Sequence, residues 1–212
     1  MSITVLDKEE MVDGVNYLSS LNVNLSKFLK SYNVPTLPVE KNYFWSLCRS
    51  VIYQQISGKA AKKISDRYLS LYANGERMLP SEVIDIDIKK IFKVGISRQK
   101  ASYIKNIAHA FNTKIIDEKN ISKLNDREII DQLTTIKGVG KWTAEMFLIF
   151  TLRRSDVFPV TDLGVQKGFK IFYSLDDLPT IELMNKKSES WKPYRTIMSL
   201  YLWYAVEGPF EW

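Results

Sequence analysis

Apolar residues recur along most of this chain at the spacing of an α-helix, and this period restricts the fold more than any other feature. One run contains Phe44, Leu47, Cys48, Val51 and Ile52, which share one face of a helix because they follow the i, i+3, i+4, i+7, i+8 pattern. Strand signals are poor, since no two alternating runs are joined by a tight Asn-Gly or Asp-Gly turn. The sequence therefore predicts an all-α fold.

Further helices are indicated by the same period and by local signals for helix ends. Ser97 can cap a helix over residues 97–112. Asn125 and Glu128 form a capping-box pattern before another apolar run, and Pro193 suits the first turn of a last helix. The helix that follows the first run is predicted to face inward through Ala60, Ile64, Tyr68 and Leu71.

Charge and cysteine content restrict the partners and cofactors. The net charge of +6 is compatible with a polyanionic partner but does not name one. Cys48 is the single cysteine, which excludes an intrachain disulfide and any metal site that needs several thiolates. The start of the chain does not resemble a signal peptide, and no apolar run is long enough to cross a membrane. We therefore expect an intracellular protein of the cytoplasm and nucleoid, or of the nucleus.

The segment LTTIKGVGKWTAEMFLIF, residues 133–150, predicts two helices joined by a hairpin at Gly138-Val139-Gly140. Both glycines are expected to be required, because they permit backbone angles that a side chain would forbid and let N–H groups approach an anion. The second helix begins near Lys141 and adds the positive end of its dipole. An ordinary αα-hairpin with a glycine cap explains the same residues without a ligand.

Five segments, in matching order, resemble the helix-hairpin-helix DNA glycosylase superfamily, and within it the 3-methyladenine DNA glycosylase II branch. They are YQQISGKAA (53–61), VGISRQKASYI (94–104), GVGKWTAEMF (138–147), DVFPVTDLG (156–164) and WKPYRTIMSLYLWY (191–204). The bacterial members of the branch also have an N-terminal sheet domain, for which this chain is too short. The resemblance therefore indicates the compact form of the family.

This resemblance implies a single glycosylase unit over residues 1–212, with two helical subdomains that flank a cleft. One subdomain is expected at 42–155, including the hairpin, and the other at 1–41 plus 156–212. The implied activity is hydrolysis of the N-glycosidic bond of alkylated purines, of the 3-methyladenine and 7-methylguanine type, in base excision repair. The implied partner is double-stranded DNA, whose damaged base is flipped out of the helix, and a monomer is expected.

The resemblance assigns the catalytic carboxylate to Asp162, about twenty residues after the hairpin. A carboxylate beside the sugar can stabilise an oxocarbenium-like transition state and activate water. The alternative is that Asp162 serves only as the N-cap of its helix, as Asp often does at this position. Bifunctional relatives have a Schiff-base lysine where this chain has Trp142, and Lys141 is one position too early, about 100° round the helix. The sequence therefore favours hydrolysis without strand cleavage.

Further site residues follow from the same resemblance. Aromatic faces attract a cationic purine, and the base pocket is assigned to Trp142, Trp203, Met146 and Tyr53. Ile56 is the candidate wedge that fills the place of the flipped base; burial beneath its loop is the alternative. The full set of candidate DNA contacts is Gly138, Val139, Gly140, Lys141, Thr143, Lys137, Gln55, Ile56, Ser57, Gly58 and Lys59.

Two rival functions remain open at this point. One is a bifunctional glycosylase and lyase for oxidised bases, and the other is a helix-hairpin-helix module that binds DNA without catalysis. We expect no cofactor and no metal site built from side chains. A monovalent cation held by backbone carbonyls of the hairpin is the one ion that the resemblance allows.

Overall fold

The computed structural model describes residues 3–33, 37–73, 75 and 78–208, and within these ranges the protein is helical without a sheet. One isolated antiparallel bridge, between Val5 and Arg154, is the only strand-like pairing in the described ranges. The prediction of an all-α fold is therefore confirmed. The helices are α1 (Lys8–Leu21), α2 (Val23–Lys30), α3 (Tyr43–Tyr53), α4 (Gly58–Leu69), α5 (Pro80–Asp85), α6 (Ile88–Lys93), α7 (Arg98–Asn112), α8 (Asp126–Thr134), α9 (Lys141–Met146), α10 (Leu163–Tyr173), α11 (Ile181–Ser188) and α12 (Arg195–Glu207).

The chain divides into two compact units. The first contains the described residues of Met1–Pro38 and Leu152–Phe210, with α1, α2 and α10 to α12; the second contains Val39–Thr151, with α3 to α9. The sequence placed the corresponding boundaries at 42 and 155, and the cleft between the two stays a prediction. None of the helices that the structure describes is both long and apolar enough to cross a membrane.

The core of the second unit is built around α3 and α7. All five residues of the first apolar run are buried, and Cys48 is fully so. Burial raises the pKa of the Cys48 thiol well above its ordinary value, because the thiolate would be desolvated there. The Ser97 side chain accepts a hydrogen bond from the Lys100 N–H and caps α7 as predicted.

The structure shows that the predicted buried face of α4 is wrong. Ala60 is exposed and Ile64 is only partly buried, whereas Ala61, Ser65 and Tyr68 are buried. The buried stripe therefore begins one residue later than the apolar pattern indicated. The pattern missed this stripe because one of its members is the polar Ser65.

Helix ends follow the local signals in one case and depart from them in another. Asn125 and Glu128 form the predicted capping box, with N–H to side-chain oxygen distances of 3.0 and 2.8 Å. Pro193 is not in the last helix, because α12 begins at Arg195. The Asp156 carboxylate accepts a hydrogen bond from the Nε of this first residue, Arg195, at 2.7 Å. This tertiary ion pair marks the start of α12, and the local pattern could not show it.

Candidate functional site

The hairpin between α8 and α9 contains two glycines that differ in backbone angle and in the space available for a Cβ. Gly138 has a φ of +104°, and a Cβ there would lie 2.0 Å from the Cγ of Tyr103. Gly140 has a φ of −92°, and no atom of the described residues lies within 4 Å of the position its Cβ would take. The expectation that both glycines are needed for their backbone angles is therefore correct for Gly138 and wrong for Gly140.

Open space at Gly140 leaves the start of α9 accessible. Gly140 is the N-cap residue and, within the described residues, no side chain caps this end of the helix. The first N–H groups of a helix need partners from elsewhere, and an anion is a suitable one because of the helix dipole. The geometry at this end therefore fits a bound phosphate group.

Gln54 ties the hairpin to the end of α3, and the sequence did not point to it. Its side-chain amide donates to the Gly138 carbonyl at 3.1 Å and to the Thr143 hydroxyl at 2.9 Å. Thr143 and Val139 are buried, so their side chains support the hairpin from inside. A contact of these two residues with DNA would have to come from the backbone.

The loop after α3 presents the other candidate DNA contacts. Gln55, with a φ of 59°, is exposed together with Ser57 and Lys59. Ile56 is 38% exposed, so it does not lie in the core beneath the loop. An exposed apolar side chain at this position is consistent with the predicted wedge.

Lys100 holds the start of this loop. Its ammonium group donates to the Ile52 carbonyl at 2.8 Å and to the Gln54 carbonyl at 2.6 Å. Partial burial lowers the pKa of this lysine from its ordinary value. Lys100, Gln55 and the hairpin, including the exposed Lys137, line one concave surface of about 480 Å³. The second unit thus brings one loop candidate, Gln55, to a common surface with the hairpin candidates Lys137, Gly138, Val139 and Gly140.

The pocket candidates of the second unit differ in exposure. Trp142 is half-buried, whereas Met146 and Tyr53 are buried. Trp142 and Met146 are four residues apart on one helical stretch and so share a face. The exposed Lys141 amine lies 3.5 Å from a Glu145 carboxylate oxygen, which gives it a structural partner on its own helix.

Asp162 and Trp203 meet in the first unit. Asp162 is the N-cap residue of α10, and its Oδ1 accepts a hydrogen bond from the Val165 N–H at 2.8 Å. The same oxygen accepts from the indole Nε1–H of Trp203 at 2.7 Å. The capping role is therefore present, and a second donor from α12 acts on the same carboxylate.

Two glycines of α10 allow this approach. A Cβ on Gly164 would lie 2.7 Å from the Cδ1 of Trp203, and one on Gly168 would lie 2.2 Å from the Leu202 carbonyl oxygen. Gly164 and Gly168 are four residues apart, so they lie on the same side of α10 and face α12. The close packing of α10 on α12 thus brings the Trp203 indole to Asp162.

Comparison with known proteins decides the family. The sequence model of the HhH-GPD superfamily of base excision DNA repair proteins matches residues 48–193. The chain belongs to this superfamily. The match includes the hairpin and Asp162, and it confirms the resemblance that the five segments indicated.

Individual superfamily members resemble the chain over most of its length. DNA-3-methyladenine glycosylase 1 of Schizosaccharomyces pombe is 35% identical over 96% of this chain and 92% of that protein. DNA-3-methyladenine glycosylase of Saccharomyces cerevisiae is 33% identical, over 86% of this chain and 72% of that protein. The compact form that the sequence indicated agrees with the first of these matches.

Solved structures of superfamily members show the same fold. The S. pombe 3-methyladenine DNA glycosylase Mag1, in complex with abasic DNA, superposes with a TM-score of 0.86 at 34% identity and covers 94% of this chain and 100% of that chain. A DNA-3-methyladenine glycosidase from Bacillus halodurans gives a TM-score of 0.77 at 31% identity, over 98% of this chain and 94% of that chain.

In the ranges that the structure describes, the side chains do not form a metal centre. No group of three or more His, Cys, Asp or Glu residues there is arranged to hold an ion. His109, the one histidine of the chain, lies on the exposed side of α7.

Proposed function

We propose that the chain is a monofunctional 3-methyladenine DNA glycosylase of base excision repair. The observation that carries this proposal is the 35% identity to DNA-3-methyladenine glycosylase 1 of S. pombe, which extends over nearly the whole of both proteins. The likeness to Mag1 in complex with abasic DNA supports double-stranded DNA as the partner. We propose that the protein acts as a monomer where the genome lies, in the cytoplasm and nucleoid or in the nucleus.

Asp162 is the proposed catalytic residue. As the bond between the sugar and the base breaks, the base leaves with the electron pair and positive charge develops on the sugar. A carboxylate beside the sugar stabilises that charge and accepts a proton from the water that adds to C1′. Two N–H donors on Oδ1 keep the Asp162 carboxylate in a defined place for this work.

One carboxylate suffices for alkylated purines. Enzymes that cleave bonds between sugars need a second carboxyl group to protonate the leaving oxygen. A purine that is methylated on a ring nitrogen is already cationic and leaves without that proton. The proposed contacts of the flipped base are Trp142, Met146 and Tyr53 in the second unit and Trp203 in the first, with aromatic faces attracting its charge.

The hairpin and the loop after α3 are the proposed DNA-binding elements. Backbone N–H groups near Gly140 would bind a phosphate, and Ile56 would fill the place of the flipped base. We include no organic cofactor in the proposal. The Gly138 carbonyl accepts from Gln54, and the Ile136 carbonyl accepts from the Val139 N–H. Because a carbonyl oxygen has two lone pairs, both can also contribute to a monovalent cation site at the hairpin.

The direct test is a base-release assay. Duplex DNA methylated on its purines is incubated with the protein, and the free bases are separated by chromatography. We expect release of 3-methyladenine and 7-methylguanine in preference to unmodified bases. A folded protein that binds this DNA and releases no base would be the non-catalytic binding module, and the proposal would be wrong.

DNA binding should depend steeply on salt and little on sequence. The hairpin contacts the backbone, and each neutralised phosphate contributes about −0.9 to the slope of log K against log salt. Fluorescence anisotropy with two unrelated duplexes, measured from low to physiological ionic strength, gives this slope. Equal affinities at both salt limits would contradict the prediction.

The protein should leave an intact abasic site. Trp142 stands at the position of the Schiff-base lysine, and Lys141 is paired with Glu145 on its own helix. Product strands should break only after alkali, and borohydride should trap no covalent complex. Trapping that disappears in Lys141→Ala would instead support the bifunctional rival.

A further inference from the structure

We propose that Trp203 is a positioning residue for Asp162, acting through its indole N–H. This inference rests on the proposed function and deepens it. The family resemblance gave Trp203 the role of an aromatic surface for the base. The hydrogen bond to Asp162 assigns it a second role, which is to fix the orientation of the catalytic carboxylate.

The argument starts from the freedom of an Asp side chain. Rotation of its carboxylate about χ2 is broad and has no sharp staggered wells. The Val165 N–H, three residues further along α10, is an ordinary capping donor and comes from the same element. The Trp203 indole, from α12, donates to the same Oδ1 at 2.7 Å. Two donors from different elements restrict the carboxylate far more than the cap alone.

The packing of α10 on α12 supports a specific role for this contact. Gly164 does not have a positive φ, so its backbone does not require glycine. Its Cβ would meet the indole Cδ1 at 2.7 Å, the indole Nε1 at 2.9 Å and the Asp162 Oδ1 at 3.1 Å. The absence of a side chain at Gly164 therefore makes room for this pair of groups.

The indole is also held in place by its surroundings. Trp203 is 8% exposed, and Gly168 lets the neighbouring Leu202 backbone approach α10 closely. A buried ring on a packed helix loses little further entropy when it forms the hydrogen bond. Trp203 is therefore a preorganised donor, of the kind that holds catalytic groups in their productive geometry.

The decisive variant is Trp203→Phe, which keeps an aromatic ring and removes the N–H donor. Hydrogen bonds to charged groups correspond to about a ten- to hundredfold effect. We expect single-turnover release of 3-methyladenine to fall by about this factor, with little change in affinity for abasic DNA. Thermal unfolding of each variant shows whether it folds.

A double-mutant cycle distinguishes positioning from stacking. If Trp203 acts through Asp162, Trp203→Phe should cause a much smaller further loss in an Asp162→Asn background than in the wild type. Equal fold-losses in both backgrounds would show that the ring acts only as a surface for the base, and the inference would be overturned. Gly164→Ala, whose Cβ would crowd both the indole and the Asp162 Oδ1, should lose at least as much base release as Trp203→Phe and serves as a second variant.

A spectroscopic measurement tests the contact independently of activity. The indole N–H resonance of Trp203 is the signal that disappears in Trp203→Phe. We expect it to move in Asp162→Asn, because a neutral amide oxygen is a weaker acceptor than a carboxylate. An unmoved resonance would refute the hydrogen bond. If no base is released by the wild type but this resonance moves, the proposed function fails and the contact stands.

Discussion

Asp162→Asn should bind damaged DNA normally and release almost no base. Asparagine keeps the size of aspartate and can still cap α10, so the Val165 and Trp203 donors retain an oxygen acceptor. It lacks the negative charge opposite the developing oxocarbenium ion and the ability to accept a proton from water. Removing one such electrostatic contribution lowers a rate by about 10²–10³.

Single-turnover excision on two substrates measures this loss. It should be smaller for cationic 3-methyladenine, which leaves readily, and larger for neutral hypoxanthine. Asn125→Ala removes the cap of α8 and provides a control for a helix cap outside the proposed catalytic site. If folded Asp162→Asn matched the wild type on both substrates, Asp162 would be only a cap and the mechanism would be wrong.

Gly138→Ala should damage the hairpin, whereas Gly140→Ala should leave it intact. The Gly138 backbone is left-handed, and a Cβ there collides with Tyr103. An alanine with positive φ costs about 1 kcal/mol, and the collision adds to this. We expect a lower free energy of unfolding and at least a tenfold loss of DNA affinity. Urea unfolding and anisotropy measure the two effects.

Two other glycine substitutions make the comparison selective. Gly75 also has a positive φ, but a Cβ there would meet no atom of the described residues within 4 Å, so Gly75→Ala measures mainly the backbone cost. Gly140→Ala should lose much less stability than Gly138→Ala, since its φ suits alanine and its Cβ has room, and only the poorer N-cap preference of alanine counts against it. Weaker DNA binding by Gly140→Ala would then locate the DNA directly in front of α9. A Gly138→Ala protein with wild-type stability and affinity would contradict this view of the hairpin.

Local sequence signals predicted those elements whose determinants lie within one helix. The stripe of α3 and the capping box of α8 depend on residues a few positions apart, and both agree with the structure. The face of α4 and the start of α12 depart from the local pattern. Ser65 is a polar member of a buried stripe, and Asp156 reaches the start of α12 from 39 residues away. Apolar periodicity reports neither a buried polar residue nor a distant ion pair.

The site shows the same division between local and tertiary information. Asp162 was found because a motif surrounds it, and its capping bond is local. Trp203 was predicted for the face of its ring, but its N–H contact needs α10 and α12 to be packed together. Gln54 lies in the segment YQQISGKAA but was assigned no role, because a glutamine has no characteristic pattern. Only the fold brings its amide to Gly138, 84 residues further along the chain.

Cys48, the single cysteine of the chain, has a consequence for a protein that would work in cells exposed to methylating agents. The thiolate is the form of cysteine that reacts with electrophiles. Complete burial and a raised pKa keep the Cys48 sulfur protonated and out of reach. The repair protein therefore presents no cysteine sulfur to the reagents that create its substrates.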